Sequence, residues 1–211
     1  MLHGFPGVQQ NEDIAAELCR RGMTVLLPHF RGCWGSPGRF HVGAMFEDAP
    51  AALRLLSRYH QVDPGRVGVL GYSVGGWVAL KLAAEARLAA VAVLAPAAPR
   101  LDRPGDPGYL RRNARALDIP DPQAVWAEYA AAAREDHPEE YVHRIAPTPV
   151  LFVQGLRDRT VPAEGTRRLL ALARAPKDWK GFPGEDHEFQ NDRPAVLHGV
   201  CGWLEERLAR L

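Results

Sequence analysis

Cysteine is scarce in this chain. Cys19, Cys33 and Cys201 are the only three, no two are spaced C-x-x-C, and the odd number leaves one thiol over. That excludes a disulfide framework and a paired-cysteine zinc site, and it fits a reducing cytoplasm. An excess of one charge is missing too: 26 Lys plus Arg stand against 25 Asp plus Glu, a formal charge of +1, scattered rather than gathered in a stripe. Nucleic acid and anionic membrane surfaces are therefore not expected partners. No apolar run approaches the roughly 20 residues of a membrane span. The opening Met1-Leu2-His3-Gly4-Phe5-Pro6 has neither the basic start nor the apolar core of a signal peptide. The expectation is a soluble, cytoplasmic chain with no membrane partner, organised as one core domain over 1–211.

What is present is an alternation. Short apolar runs at Thr24 to Pro28, Val67 to Leu70, Ala90 to Ala95 and Val150 to Val153 are bounded by Gly, Pro or Asp and separated by helical patterns. Continuous apolar strands with helices between them predict an α/β fold, a mostly parallel sheet covered by helices on both faces. One helix is expected from an Asn11 N-cap to Gly22, with Ile14 and Leu18 on one face. A second is expected to open at Asp48 and Pro50 and to carry Leu53, Leu56 and Tyr59. The last is expected from about Pro194, with Leu197, Cys201, Leu204 and Leu208 as its apolar stripe and His198 on the polar side. Between Pro99 and Pro149 no strand is legible. A crossover of about 50 residues exceeds the usual connection, so 99–148 is read as an inserted helical cap with helices near Tyr109 to Leu117 and Gln123 to Arg134. Trp126 and Tyr129, at i and i+3, are expected to pack that cap onto the core.

The chemistry-bearing residues fall at the ends of these runs. Gly71-Tyr72-Ser73-Val74-Gly75 directly follows a strand and directly precedes the helical stretch Trp77 to Ala86. This is the context in which G-x-S-x-G makes a tight strained turn and exposes a nucleophilic hydroxyl. Serine needs a base held in turn by a carboxylate. Asp158, in Gly155-Leu156-Arg157-Asp158, lies just past a strand's C-terminal end, and His187 lies in the loop Gly184-Glu185-Asp186-His187. Asp178, Glu185 and Asp186 are other acids near His187, and His198 is the next candidate base. The turn His3-Gly4-Phe5-Pro6-Gly7 offers the backbone N–H of Phe5, which with that of Val74 would bind an oxyanion. Arg31 and Arg157 flank these loops, either to hold a substrate carboxylate or to make surface ion pairs. His137 and His143 lack a third ligand and are read as a solvated helix face, and Cys33 as an ordinary loop thiol.

Taken in order, His3-Gly4-Phe5, the stretch His29 to Ser36, the Gly71 to Gly76 turn, Gly155 to Asp158 and Asp186-His187 resemble the landmarks of the α/β-hydrolase superfamily. The likeness is greatest to bacterial esterases and to the catalytic domains of prolyl-oligopeptidase-type peptidases, and covers nearly all but the cap. It implies a serine hydrolase with Ser73, Asp158 and His187 as triad, Phe5 and Val74 as oxyanion donors, no cofactor and no metal. The implied substrate is a small carboxylic ester. A peptidase acting on short peptides and a non-catalytic hydrolase-like scaffold are the alternatives. Two departures stand out. Tyr72 precedes the serine where that family often has histidine, and the strands the family places before the His-Gly turn are not in this sequence. The second implies a free strand edge, an unanchored oxyanion loop and a homodimer as one way to cover the edge.

Overall fold

The computed structural model describes residues 1–5, 11–98, 117–119 and 121–209. Four strands form one sheet in the order β1-β2-β3-β4: β1 (Gly68–Tyr72), β2 (Ala90–Leu94), β3 (Val150–Gly155) and β4 (Lys177–Phe182). Every neighbouring pair is parallel, with Gly68 opposite Ala90, Val91 opposite Val150 and Val150 opposite Lys177. The helices are α1 (Glu12–Arg20), α2 (Val42–Leu56), α3 (Val74–Glu85), α4 (Pro122–Glu135), α5 (Ala163–Leu172) and α6 (Arg193–Ala209).

Strand alternation divides the core in two. In β2, Val91 and Val93 point into a cluster with Trp77 and Leu80 of α3, Met45 of α2 and Leu169 of α5, while Ala90, Ala92 and Leu94 point into a cluster with Ile14 and Leu18 of α1 and Val200 and Leu204 of α6. Both faces of the sheet are therefore covered, which is why β2 and the first four residues of β3 are apolar at every position rather than at every second one. All five residues of β2 are buried.

Several expectations are corrected. Thr24 to Pro28 is not a strand. A strand exists through its ladder, and Thr24 to Pro28 belongs to no strand pairing of the sheet. The Met1 amine donates to the Leu26 carbonyl at 2.6 Å, and Leu2 makes one isolated bridge to Gly71. Further along, an apolar cavity lined by Val25, Leu26, Val67, Val69 and Leu204 separates the segment from β1. The His3-Gly4 turn is nevertheless anchored, because Leu2 N–H donates to the Leu70 carbonyl at 2.7 Å and the Leu2 carbonyl accepts from Tyr72 N–H at 3.1 Å. The second helix starts at Val42 rather than at Asp48: the His41 ring accepts from Ala44 N–H at 3.0 Å and caps it, leaving Pro50 inside the helix. Asp48 instead takes the Arg31 guanidinium at 2.7 Å.

Asn11 does precede α1, but in a left-handed conformation and without a side-chain cap bond; its oxygen accepts from Arg193 at 2.8 Å. His137 precedes and caps the single-turn 3-10 helix Pro138–Glu140, His143 lies in the next one, Val142–Arg144, and both are partly exposed. Cys33 and Cys201 are both buried. The expected helix at Tyr109 to Leu117, apart from Leu117 itself, lies outside the described residues, as does most of the front half of the expected cap. Among the described residues, no helix is long and apolar enough to cross a membrane.

Candidate active site

The site is assembled at the C-terminal ends of β1, β3 and β4, where a parallel sheet offers loops and open carbonyl edges. Ser73 sits between β1 and α3 with φ 54° and ψ −120°, a backbone state that L-residues avoid. Its neighbours hold it there. Ser73 N–H donates to the Leu94 carbonyl at 2.9 Å, and the Ser73 carbonyl accepts from Gly76 and Ala97, each at 2.9 Å. Glycine is required at two points of this turn: a Cβ on Gly71 would lie 2.2 Å from the Gly75 carbonyl oxygen, and one on Gly75 would lie 2.3 Å from the carbonyl oxygens of both Leu2 and His3. The turn and the His3-Gly4 loop are thus in direct backbone contact.

Ser73, His187 and Asp158 are brought together in one line. His187 Nε2 is 3.2 Å from Ser73 Oγ, and His187 Nδ1 is 2.7 Å from Asp158 Oδ2. With a carboxylate on one side, Nδ1 carries the proton and Nε2 is left to accept from the serine hydroxyl. All three residues are buried. The acid is held firmly: its Oδ1 accepts from Thr160 N–H at 2.8 Å and Val161 N–H at 2.7 Å. The histidine loop is held from below by the Tyr72 hydroxyl, which donates to the His187 carbonyl at 3.1 Å. Tyr72, the departure noted in the sequence, therefore ties the turn of the serine to the loop of the histidine.

The competing candidates are engaged elsewhere. Asp178 accepts from Trp203 Nε1 at 2.7 Å and pairs with Arg207. Glu185 accepts the backbone N–H groups of Asn191 and Asp192 ahead of α6, and Asp186 accepts from Glu188 N–H at 3.0 Å. His198 is exposed on α6. Arg31 is committed to Glu47 and Asp48, and Arg157 is exposed. Trp126 and Tyr129 of α4 pack against Phe5, with ring centroids at 5.7 and 6.5 Å, so that α4 rests on the turn after His3-Gly4. No group of three metal-ligating side chains occurs among the described residues.

Sequence reasoning missed Gln154. It ends the apolar run of β3, is fully buried, and its amide donates to Asp158 Oδ2 at 3.3 Å and to the Val161 carbonyl at 3.1 Å, while its oxygen accepts from the equally buried Thr166 hydroxyl at 2.6 Å. A glutamine closing the apolar run Val150 to Val153, four residues before the acid, is the only local signal of this support.

A model of the prolyl oligopeptidase family matches residues 11–210. The chain belongs to that family. A Mycobacterium tuberculosis protein is 32% identical over 189 residues, which is 89% of this chain and 59% of the relative. The YfhR protein of Escherichia coli is 23% identical over 198 residues, 88% of this chain and 61% of its own length. This member of the family thus spans about three-fifths of the length of these relatives. Its fold is that of the α/β-hydrolases. A monoacylglycerol lipase from Paleococcus ferrophilus superposes with a TM-score of 0.76 at 18% identity, covering 98% of this chain and 93% of the lipase. Est1E from Butyrivibrio proteoclasticus, with ferulic acid bound, superposes with a TM-score of 0.77 at 21% identity, covering 99% and 88%.

Proposed function

We propose that this family member is a serine hydrolase that cleaves carboxylic esters of small substrates through an acyl-enzyme. The observation that carries the reading is the continuous line from Ser73 Oγ through the His187 ring to Asp158. In this reading His187 Nε2 removes the hydroxyl proton as Ser73 Oγ attacks the ester carbonyl carbon. The tetrahedral oxyanion is received by the backbone N–H groups of Phe5 and Val74. Collapse expels the alkoxide, which takes the proton from His187, and leaves Ser73 acylated. Water then repeats the sequence, giving up its proton to His187, and the carboxylic acid departs as Ser73 regains its proton. Neither the Phe5 nor the Val74 N–H is engaged in a hydrogen bond among the described residues, and Val74 opens α3, whose N-terminal dipole favours negative charge. Through its bond to Nδ1, Asp158 keeps the imidazole in the tautomer this cycle needs.

The family name favours a second reading, a peptidase acting on short peptides. Turnover of p-nitrophenyl acyl esters and aminoacyl p-nitroanilides by the purified chain separates the two. Ester cleavage with little amide cleavage is expected. Preferred cleavage of the amides selects the peptidase, and no cleavage of either on folded protein selects a scaffold.

A further inference from the structure

His3 is buried beside the oxyanion loop, yet no step of the acyl-enzyme cycle uses it. Its ring is fixed on every side. Phe30 and Trp34 each pack edge-on against it with centroids at 4.5 Å. Nδ1 lies 2.9 Å from the Gly4 carbonyl oxygen, and Nε2 receives the Phe30 N–H at 3.4 Å. A carbonyl facing Nδ1 and an N–H facing Nε2 define the tautomer: the neutral ring with its proton on Nδ1, donating to Gly4. Burial, reinforced by the nearby His29 and Met1 amine, lowers the His3 pKa to about 4, so the ring stays neutral in the working range.

The consequence follows from the planar peptide. The Gly4 carbonyl and the Phe5 N–H belong to one trans unit and point in opposite directions. A carbonyl pinned to the His3 ring turns the Phe5 N–H away from it. The same unit lies against the serine turn: a Cβ on Gly4 would be 3.2 Å from Ser73 Cβ and 2.9 Å from the Tyr72 ring. A peptide flip would exchange the donor for a carbonyl oxygen, which repels an oxyanion.

We infer that His3 is a positioning residue of the oxyanion site, holding the Gly4–Phe5 peptide so that the Phe5 N–H is presented to the tetrahedral oxyanion. The inference rests on the serine-hydrolase reading. It assigns His3 a share of transition-state stabilisation and none of substrate binding, because the oxyanion charge develops only as the carbonyl is attacked.

The experiment compares wild type, His3→Phe and His3→Asn. Phenylalanine fills the slot between Phe30 and Trp34 without a donor, whereas the asparagine amide reaches the place of Nδ1 and restores the bond to Gly4. Four quantities are read: kcat and KM on p-nitrophenyl butyrate, affinity for an alkylboronic acid by calorimetry, and thermal midpoint. The expected result for His3→Phe is a fall in kcat of about 10- to 100-fold, less than one lost oxyanion donor at its upper end, with KM within twofold. Boronate affinity falls by a similar factor, and His3→Asn recovers most of both. A His3→Phe variant with wild-type kcat overturns the inference, as does a His3→Asn variant no better than His3→Phe or a loss that tracks the thermal midpoint alone. Fluorophosphonate labelling of wild type keeps the two levels apart. Wild type that labels and turns over while the variants fail to differ overturns only the role of His3. Wild type that neither labels nor turns over overturns the hydrolase reading and this inference together.

Discussion

Acidification probes the buried His3 through stability alone, without any assumption about substrate. The unfolded chain's histidine takes up a proton near pH 6.5, whereas in the folded chain burial postpones protonation to about pH 4. Between those values the unfolded state binds more protons than the native state, so stability falls as pH is lowered and the loss levels off below about 4. Integrated over the window, the His3 contribution is about −0.2 kcal/mol at pH 7 and about −2 kcal/mol at pH 5. Urea unfolding of wild type and His3→Phe at pH 7, 6 and 5 isolates it, since other titrating groups, including the buried Met1 amine, are common to both. Wild type is expected to lose about 2 kcal/mol more than the variant across that range. Parallel stability curves for the two proteins would refute the claim that this ring is buried neutral.

Four further substitutions have defined outcomes. Gln154→Leu removes a donor from Asp158 and strands the Thr166 hydroxyl and the Val161 carbonyl. It is expected to lower the urea-unfolding free energy by about 2 kcal/mol and kcat/KM on a p-nitrophenyl ester by about tenfold as the acid loop loosens. Gly75→Ala places a methyl group 2.3 Å from the Leu2 and His3 carbonyl oxygens, and its thermal melt should show a loss of about 3 kcal/mol or more. By contrast, Gly22→Ala at φ 83°, with open space around it, should cost only about 1 kcal/mol. Asp158→Asn keeps the packing but removes the charge that fixes the His187 tautomer, and steady-state kinetics should show kcat down by about ten-thousand-fold with an unchanged melting temperature.

The parts of the site that the sequence revealed are those whose chemistry is local. Ser73 is legible because a strained turn demands glycine within two or three residues on either side, and those glycines are in the sequence next to it. Asp158 and His187 are legible because both follow apolar or turn segments that mark strand ends. Gln154 and Tyr72 were not assigned their roles, since each acts across the fold on a residue distant in sequence: Gln154 reaches Thr166 on α5, and Tyr72 reaches the His187 carbonyl 115 residues away. The same distinction explains the errors in the fold. The run Thr24 to Pro28 has the composition of a strand, but strand character depends on a hydrogen-bonded neighbour, and the contact made here is the Met1 amine on the Leu26 carbonyl rather than a ladder. The start of α2 was hidden because His41 is an uncommon cap, and the Asp48-Pro50 pair, which resembles a helix start, lies within the helix where Asp48 answers Arg31 instead.

The most direct test of the proposed function is covalent labelling of the purified chain with a fluorophosphonate, read by intact mass and peptide mapping, with Ser73→Ala as control. The account predicts one adduct per chain, on Ser73, absent from Ser73→Ala and strongly slowed in His187→Ala. Folded protein that gains no adduct, or an adduct that maps to another residue and persists in Ser73→Ala, would contradict it.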